Sequence, residues 1–287
     1  MTDRPATLRD TPARPVREAW AAGRAARNAW LTIPDAHLAE MVAASGIAEA
    51  VTLDLQHGLF DRDTAVHAIR AIAAHGAAPL VRLPGIDASL AGYVLDAGAA
   101  GVIAPQVESV AEAEALVAAC RYPPAGRRSH GPTRAALRPG SDAFAAAEQA
   151  LVFAMIETRE GLQQCEAMAA TVGLDGLFVG PGDLGLSLGF GAGQDRQEPE
   201  MHDAITRVLA ACRTAGRRAA IHASTTQYAA RMARSGFDLV TVWVDAVAVA
   251  ATLAAADGIW AQQGGAHQGG AQQGDSTSGS AARTPAP

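Results

Sequence analysis

Two acidic residues, Glu157 and Asp183, each follow a short apolar segment that is typical of a buried strand. The segments are 151–154 and 176–179, and consecutive parallel strands place their carboxyl ends side by side. Two carboxylates in this position suit a hard divalent cation such as Mg²⁺, which takes few protein carboxylates and keeps other positions for water or substrate oxygens. Another interpretation is that Glu157 caps the next helix and Asp183 lies in a turn. The spacing alone leaves both interpretations open.

Other polar residues that could do chemistry also end apolar segments: Asp54 with Gln56 and His57, then Arg82, Gln106 and His222. The interiors of these segments are almost wholly apolar, so the polar residues predict a single polar mouth. Arg82 would offer a planar charged fork to a carboxylate or a developing enolate, although a structural ion pair is the alternative. His57 lies in a loop directly after its strand, where it could act as an acid or base. His222 is equally compatible with a plain strand terminus, and Asp96 with a solvated residue near a helix end.

Eight short apolar segments recur along the 287 residues, at 29–33, 50–54, 79–83, 101–105, 151–157, 176–180, 218–222 and 238–243. Between most of them lie alanine-rich segments with helical spacing, and several of these end in glycine. Apolar strands that alternate with amphipathic helices indicate a parallel sheet buried on both faces. Eight such units predict an α/β fold of the (β/α)8 TIM barrel type. An open doubly wound sheet is the second choice, since no GxGxxG turn follows the first strand.

The two ends of the chain lack this pattern. Residues 1–16 are rich in proline, arginine and threonine and are predicted to form a flexible extension. Residues 262–287 form a Gly/Gln/Ser-rich tail that is predicted to be disordered. The barrel domain is therefore expected to span 17–261. Its one long connection, 106–149, is expected to carry a helix and an active-site loop at 127–142.

The composition excludes several classes of partner. A net charge of −6, with arginine clustered only locally, argues against nucleic acid and anionic membranes. The sequence shows no secretory signal and no apolar stretch of about 20 residues, so a cytoplasmic protein without a membrane segment is expected. Cys120, Cys165 and Cys212 are widely spaced, lack metal-ligand spacing and suit a reducing compartment.

Seven motifs taken together are more specific than any one of them: Asp54-Leu55-Gln56-His57-Gly58, Val81-Arg82-Leu83-Pro84, Leu95-Asp96-Ala97-Gly98-Ala99, Ala104-Pro105-Gln106-Val107, Tyr122-Pro123-Pro124-x-Gly126, Ile156-Glu157-Thr158 and Gly180-Pro181-x-Asp183-Leu184, where x is any residue. In their types and order they resemble the HpcH/HpaI aldolase family over residues 30–244. These are metal-dependent class II aldolases that act on pyruvate-like 2-oxo acids. The resemblance implies a (β/α)8 barrel, usually a homohexamer, that reversibly cleaves a 4-hydroxy-2-oxo acid to pyruvate, or a pyruvate analogue, and an aldehyde.

The resemblance also implies a role for each matching catalytic residue. Glu157 and Asp183 would bind the metal, with Mg²⁺ or Mn²⁺ expected and Co²⁺ or Zn²⁺ as alternatives. Arg82 would bind the 2-oxo group and stabilise the enolate. His57 would act as acid and base, paired with Asp96.

For substrate binding, the resemblance implies that the backbone N–H groups of Gly182 and Asp183 hold the pyruvate carboxylate. Trp30 would line the pocket, and Gln106 is expected to contact the substrate from its strand end. These roles agree with the chemistry, because removing a proton from the methyl group of pyruvate requires positive charge near the developing enolate oxygen. A histidine base then suits the proton transfer near neutral pH.

The chain contains no lysine, which excludes an aldolase that works through a lysine Schiff base. Two other hypotheses remain open. A CoA-thioester lyase or synthase of the citrate lyase β type would need a basic groove for the CoA phosphates, and only the arginine cluster at 121–138 could supply one. A non-catalytic barrel would be expected to lack some of the site residues, yet all of them are present.

Overall fold

The strands of the barrel are β1 (Ala26–Leu31), β2 (Ala50–Asp54), β3 (Ala78–Arg82), β4 (Gly101–Ala104), β5 (Leu151–Ile156), β6 (Gly176–Val179), β7 (Arg218–Ile221) and β8 (Leu239–Val244). In the computed structural model, which describes residues 11–137 and 143–268, they follow one another in sequence order and form a closed parallel barrel. Closure is made by β8 and β1, where Asn28 is in register with Thr241. The predicted (β/α)8 TIM barrel is therefore confirmed.

The helices are α1 (Arg14–Ala21), α2 (Ala36–Ala44), α3 (Arg62–Ala74), α4 (Ala88–Asp96), α5 (Val110–Cys120), α6 (Ala143–Glu148), α7 (Arg159–Ala169), α8 (Pro181–Leu188), α9 (Pro199–Thr214), α10 (Thr226–Ser235) and α11 (Asp245–Gln268). Many begin at a residue whose side chain accepts a hydrogen bond from the first turn: Asp35, Asp61, Asp87, Ser109, Thr158 and Thr225. These caps satisfy N–H groups that have no partner within the helix. The local sequence therefore determines where these six helices start.

The hydrophobic core has two layers. Large side chains from alternate strand positions, including Trp30, Phe153 and Phe178, fill the inside of the barrel. A second layer, which includes Ile69 and Leu116, lies between the strands and the surrounding helices. Because side chains alternate along a strand, each strand contributes to both layers and is buried on both faces. The packed interior leaves an end of the barrel as the place for a site.

Helix α1 packs against the amino end of the barrel. Its Val16 and Trp20 belong to the interior core, and the indole of Trp20 donates a hydrogen bond of 2.7 Å to the carbonyl of Asp238, directly before β8. The ordered domain therefore begins earlier than the predicted boundary at residue 17. Pro15 does not prevent this helix, because the first turn tolerates proline. Residues 1–10 of the predicted extension lie outside the described residues.

The long connection between α5 and β5 lies at the amino end of the barrel. Helix α5 runs back from the carboxyl end, so the segment that follows it starts at the opposite end from the mouth. Arg128 of this segment binds the carboxylate of Asp96, the last residue of α4, and Arg134 donates to the carbonyl of Ala97 at 2.6 Å. The expectation of an active-site loop at 127–142 is therefore wrong for a single chain, over the described part up to residue 137.

Helix α11 starts directly after β8. The Asp245 carboxylate accepts hydrogen bonds from the backbone N–H groups of Thr32 and Ile33, both 2.8 Å long, and so fixes the loop after β1. The helix extends to Gln268, beyond the predicted domain end at 261, whereas 269–287 lie outside the described residues. From Val247 onward the chain forms a second unit, which exposes the apolar side chains of Val247, Val249, Leu253, Ile259 and Trp260.

No helix in the part of the chain that the structure describes is both long enough and apolar enough to cross a membrane. The three cysteines lie in α5, α7 and α9, and all are buried and free. Burial raises the pKa of the Cys120 thiol to about 12, so this thiol stays protonated and unreactive. The prediction of ordinary helix cysteines agrees with this placement.

Candidate active site

A cavity of about 200 Å³ opens at the carboxyl ends of the strands. It is lined by Trp30, Thr32, Asp54, His57, Arg82, Met155, Glu157, Gly180, Gly182, Asp183, Gln194, His222 and Val244. These residues come from the ends of β1, β2, β3, β5, β6, β7 and β8 and from the loops that follow. The predicted single polar mouth therefore exists, and it gathers polar groups that are far apart in the sequence.

Glu157 directly follows β5 and is 2% exposed. Its Oε1 accepts a hydrogen bond of 2.8 Å from the backbone N–H of Gln106, which adopts a left-handed conformation with φ of 51°. Burial, with the charge of Asp183 as a further contribution, raises the pKa of Glu157 to about 7. Glu157 and Asp183 line the same cavity, so the charge of each carboxylate acts on the other.

The two carboxylates fit a hard divalent cation. A side chain at Gly180 would place its Cβ 2.5 Å from Oε2 of Glu157, so glycine at this position keeps the space beside that oxygen open. Within the described residues no cluster of three or more histidine, cysteine or acidic side chains is arranged to hold a metal. Two carboxylates and open positions are nevertheless the donor set that Mg²⁺ accepts, because it retains water and substrate oxygens.

The N-terminus of α8 lies beside these carboxylates. Gly180 is the N-cap and Pro181 occupies the first turn, and the first helical hydrogen bond runs from the N–H of Leu184 to the carbonyl of Gly180 at 3.0 Å. The N–H groups of Gly182 and Asp183 precede that bond and are not used by the helix. Such a helix end attracts an anionic group such as a carboxylate.

Asp54 and Arg82, which also line the cavity, form a buried ion pair. The guanidinium donates from Nε to Oδ1 of Asp54 at 2.9 Å and from Nη2 to Oδ2, and it stacks over the ring of Trp30 at 4.9 Å. Burial alone would raise the pKa of Asp54, but the hydrogen bonds and charge of Arg82 outweigh it and hold the pKa below its usual value. The same carboxylate accepts from the Trp30 indole at 3.2 Å.

Asp54 also accepts the backbone N–H groups of Gln56 and His57, at 3.0 and 3.1 Å. One buried carboxylate therefore positions Arg82, Trp30 and the loop that carries His57. Sequence reasoning noted Asp54 only as one polar strand end and gave it no role. The available signal was the position of Asp54, two residues before Gln56 and three before His57. An aspartate at this spacing can accept the backbone N–H groups that follow it, as in an Asx turn.

His57 and Asp96 lie far apart within one chain. His57 is an exposed residue on the rim of the cavity, whereas Asp96 ends α4 shortly before β4 begins, toward the amino end. The Asp96 carboxylate binds Arg128 instead, at 2.5 Å. A single chain therefore does not form the predicted pair of His57 and Asp96, and the pairing stays a prediction.

Gln106 and His222 occupy different environments. The side chain of Gln106 is exposed and is not among those that line the cavity, so in this structure the residue contributes its backbone N–H to Glu157. Its predicted contact with substrate stays a prediction. His222, which was equally compatible with a plain strand terminus, lines the cavity and packs edge-on against Trp30, with ring centroids 4.9 Å apart.

Comparison with known proteins agrees with this geometry. The family model for HpcH/HpaI aldolase/citrate lyase matches residues 28–252. The chain belongs to this family. A hydroxypyruvate/pyruvate aldolase of Rhizorhabdus wittichii is 40% identical over 231 residues, covering 80% of this chain and 92% of its own. A 4-hydroxy-2-oxovalerate aldolase of Rhodococcus jostii is 33% identical and covers 82% of this chain and 91% of its own.

A solved structure of an HpcH/HpaI aldolase/citrate lyase family protein from Burkholderia cenocepacia superimposes with a TM-score of 0.75. It is 32% identical and covers 82% of this chain and 95% of its own. The resemblance to the HpcH/HpaI aldolases that the seven motifs indicated is therefore confirmed. So is the predicted enzyme class, a carbon–carbon lyase of the aldolase type.

Proposed function

We propose that this member of the HpcH/HpaI family is a divalent-metal-dependent class II aldolase that reversibly cleaves 4-hydroxy-2-oxo acids to pyruvate, or a pyruvate analogue, and an aldehyde. The observation that carries the proposal is the arrangement around one cavity of two carboxylates, a fixed guanidinium and a helix N-terminus. The relatives named as pyruvate, hydroxypyruvate and 4-hydroxy-2-oxovalerate aldolases support it. The absence of lysine leaves no Schiff-base alternative.

The 2-oxo acid binds by its carboxylate to the N–H groups of Gly182 and Asp183. Both groups are held by the first turn of α8, so they need no reorganisation when the anion arrives. Gly182 has no side chain, and a Cβ there would lie 2.6 Å from Nε2 of Gln194. Trp30 and Met155 supply apolar walls beside the bound acid.

Arg82 stabilises the negative charge that develops on the 2-oxo oxygen. Asp54 engages its Nε and Nη2, while Nη1 has no hydrogen-bond partner within the described residues. The ion pair and the stacking on Trp30 hold the guanidinium in one orientation before substrate binds. A preorganised donor of this kind is worth most where charge appears only during the reaction.

Glu157 and Asp183 would hold the divalent metal that the family requires. When bound there, the cation would act as a Lewis acid that withdraws electron density from the oxygens of the 2-oxo acid. We propose Mg²⁺ or Mn²⁺, because the donor set is oxygen only, with Co²⁺ or Zn²⁺ as alternatives. Gln106, through its backbone N–H, keeps the Glu157 carboxylate oriented toward the cavity.

His57 performs the proton transfers. From its place on the rim, His57 takes the proton of the 4-hydroxyl as the bond between C3 and C4 breaks. It then returns a proton to C3, which becomes the methyl carbon of pyruvate. The proposed partnership with Asp96 can be made only between two copies of the chain, because the two residues lie at opposite ends of the barrel. We also propose that the protein is a homohexamer in the cytoplasm, in which such a pairing would join two copies of the chain.

The structure weighs against the CoA-thioester hypothesis. That reaction would need the arginine cluster at 121–138 to form a groove near the mouth. Arg121, however, donates to Asp175 and to the carbonyl of Gly173, and Arg128 is buried against Asp96. Two arginines of the cluster, Arg121 and Arg128, are therefore engaged in structural ion pairs at the amino end of the same chain.

The proposal is tested by proton NMR of pyruvate in D₂O with the purified protein. We expect the methyl signal to decrease when Mg²⁺ or Mn²⁺ is present and to persist after EDTA is added, because enolate formation exchanges the methyl protons. Unchanged methyl protons with every divalent metal tried would contradict the proposed function. A panel of aldehydes would then define the second substrate.

A further inference from the structure

His222 is a polar residue in the cavity for which the proposed reaction has no use. It follows β7, and its backbone N–H donates to the carbonyl of Val179 at 3.1 Å, so its position is fixed by the barrel. The imidazole packs edge-on against Trp30 with an interplanar angle of 78°. His222 therefore lies beside Trp30, which is expected to line the substrate pocket.

A ring nitrogen of His222 lacks a partner. Nδ1 is buried and forms no hydrogen bond within the described residues. Buried polar atoms without partners are rare in folded proteins, and each one destabilises the structure unless a ligand or water satisfies it. A half-turn about the Cβ–Cγ bond exchanges Nδ1 with the Cδ2 position and keeps the ring in place, so the imidazole can present a nitrogen to the cavity.

Two other polar groups of the same cavity are already occupied. The Thr32 hydroxyl donates to Asp245 at 2.9 Å, and Asp54 is saturated by the donors described above. Burial, with the positive charge of Arg82 as a further cause, lowers the pKa of His222 to about 4. The ring is therefore neutral at physiological pH and offers one donor and one acceptor, which suits a neutral hydroxyl rather than a second anion.

We infer that His222 is a specificity-determining residue that binds a hydroxyl group of the substrate. This inference rests on the proposed aldolase function and adds to it a preference for hydroxylated substrates. Two carbon skeletons could carry the hydroxyl. It lies either on C3 of the 2-oxo acid donor or on the carbon next to the carbonyl of the aldehyde acceptor.

The test uses four substrate pairs with the metal-loaded protein. Pyruvate or hydroxypyruvate serves as donor and acetaldehyde or glycolaldehyde as acceptor, and initial rates of addition are followed by chromatography. The variants are His222→Leu, which removes the hydrogen bond, and His222→Gln, which keeps a donor and an acceptor. Val244→Ala is the matched control, because Val244 lines the same cavity and carries no polar group.

We expect His222→Leu to lower the ratio of kcat/KM for a hydroxylated substrate to that for its unhydroxylated counterpart by about 3- to 10-fold, the effect of one lost hydrogen bond. His222→Gln should restore most of the ratio, and Val244→Ala should leave it unchanged. A change confined to the hydroxypyruvate pairs assigns the hydroxyl to the donor, and one confined to the glycolaldehyde pairs assigns it to the acceptor.

Equal losses for all four pairs, or ratios that match the wild type, would overturn the inference. The pyruvate methyl exchange in D₂O separates this failure from failure of the proposed function. If the wild type exchanges the methyl protons with metal but His222→Leu leaves the kcat/KM ratios unchanged, only the role of His222 is refuted. If the wild type shows no metal-dependent exchange, the aldolase function and this inference are both refuted.

Discussion

Replacing Asp54 with asparagine is the most informative perturbation of the site, because the change preserves shape and removes one charge. The Asp54 side chain is 1% exposed and accepts five hydrogen bonds. An asparagine would keep its oxygen at the Oδ1 position, where it can still accept from Gln56, His57 and Nε of Arg82. Its NH₂ group would then face Nη2 of Arg82 and the indole of Trp30, which are both donors.

The expected magnitude follows from those two lost bonds. A charge-assisted bond to Arg82 contributes about 1.5–3 kcal/mol and the indole bond about 1 kcal/mol. The mutation also leaves Arg82, which is only 8% exposed, without its counter-ion. We therefore expect Asp54→Asn to lower the free energy of unfolding by about 3 kcal/mol, in the range for breaking a buried ion pair. The rate of metal-dependent methyl exchange should fall by about 100-fold or more, because Arg82 is no longer held in one orientation.

Urea denaturation followed by circular dichroism measures the first effect, and the NMR exchange assay measures the second. Asp203→Asn is the control, because Asp203 is an exposed aspartate on α9 away from the mouth. An Asp54→Asn protein that is within 1 kcal/mol of wild type and exchanges pyruvate protons within about threefold of its rate would refute the positioning role.

Three further predictions concern the metal, the guanidinium and acid stability. Asp183→Ala should abolish metal-dependent exchange while the urea midpoint stays near wild type, because Asp183 lies at the mouth and not in the core; activity restored by added Mg²⁺ would contradict the ligand assignment. Arg82→Lys should lower kcat by about 100-fold or more, since a point charge cannot make the paired contacts with Asp54, and a wild-type kcat would contradict this reasoning. Burial alone would raise the pKa of Glu49, but hydrogen bonds from Arg27 and Arg24 outweigh it and lower the pKa to about 2. The stability from Glu49 is therefore present above pH 4.5 and lost as the pH falls toward 2, so Glu49→Gln should lower the unfolding free energy by about 1–2 kcal/mol at pH 7 and have little effect at pH 2, as measured by urea titrations at both pH values.

Local patterns in the sequence were sufficient to predict the barrel. Each strand is a short apolar run between helices with recognisable caps, as β5 shows with six buried residues in succession. Strands of this kind must be covered on both faces, and eight of them in order close into one barrel. The same rule placed Arg82, Glu157 and Asp183 at one mouth, because it depends only on the order of strands and loops.

Contacts between distant segments could not be predicted in this way. The segment 127–137 was assigned to the mouth, yet it follows a helix rather than a strand and lies at the amino end. Asp96 carries a motif of the family, but its place at the end of α4 separates it from His57. The start of α1 was also missed, because Val16 and Trp20 are buried only when they pack against the interior of the folded barrel.

The sequence by itself determined which chemistry is available: carboxylates, a guanidinium and a histidine after buried strands, and no lysine. Those properties belong to residue types and their positions relative to strands, so no tertiary information is needed to read them. Only the tertiary structure decided which groups satisfy one another. Asp54 became the acceptor that positions Arg82, Trp30 and the His57 loop, and Nδ1 of His222 was left without a partner. Whether a hydrogen bond forms depends on a few tenths of an ångström in the donor–acceptor distance, and the packing of the whole barrel sets that distance for groups on different segments.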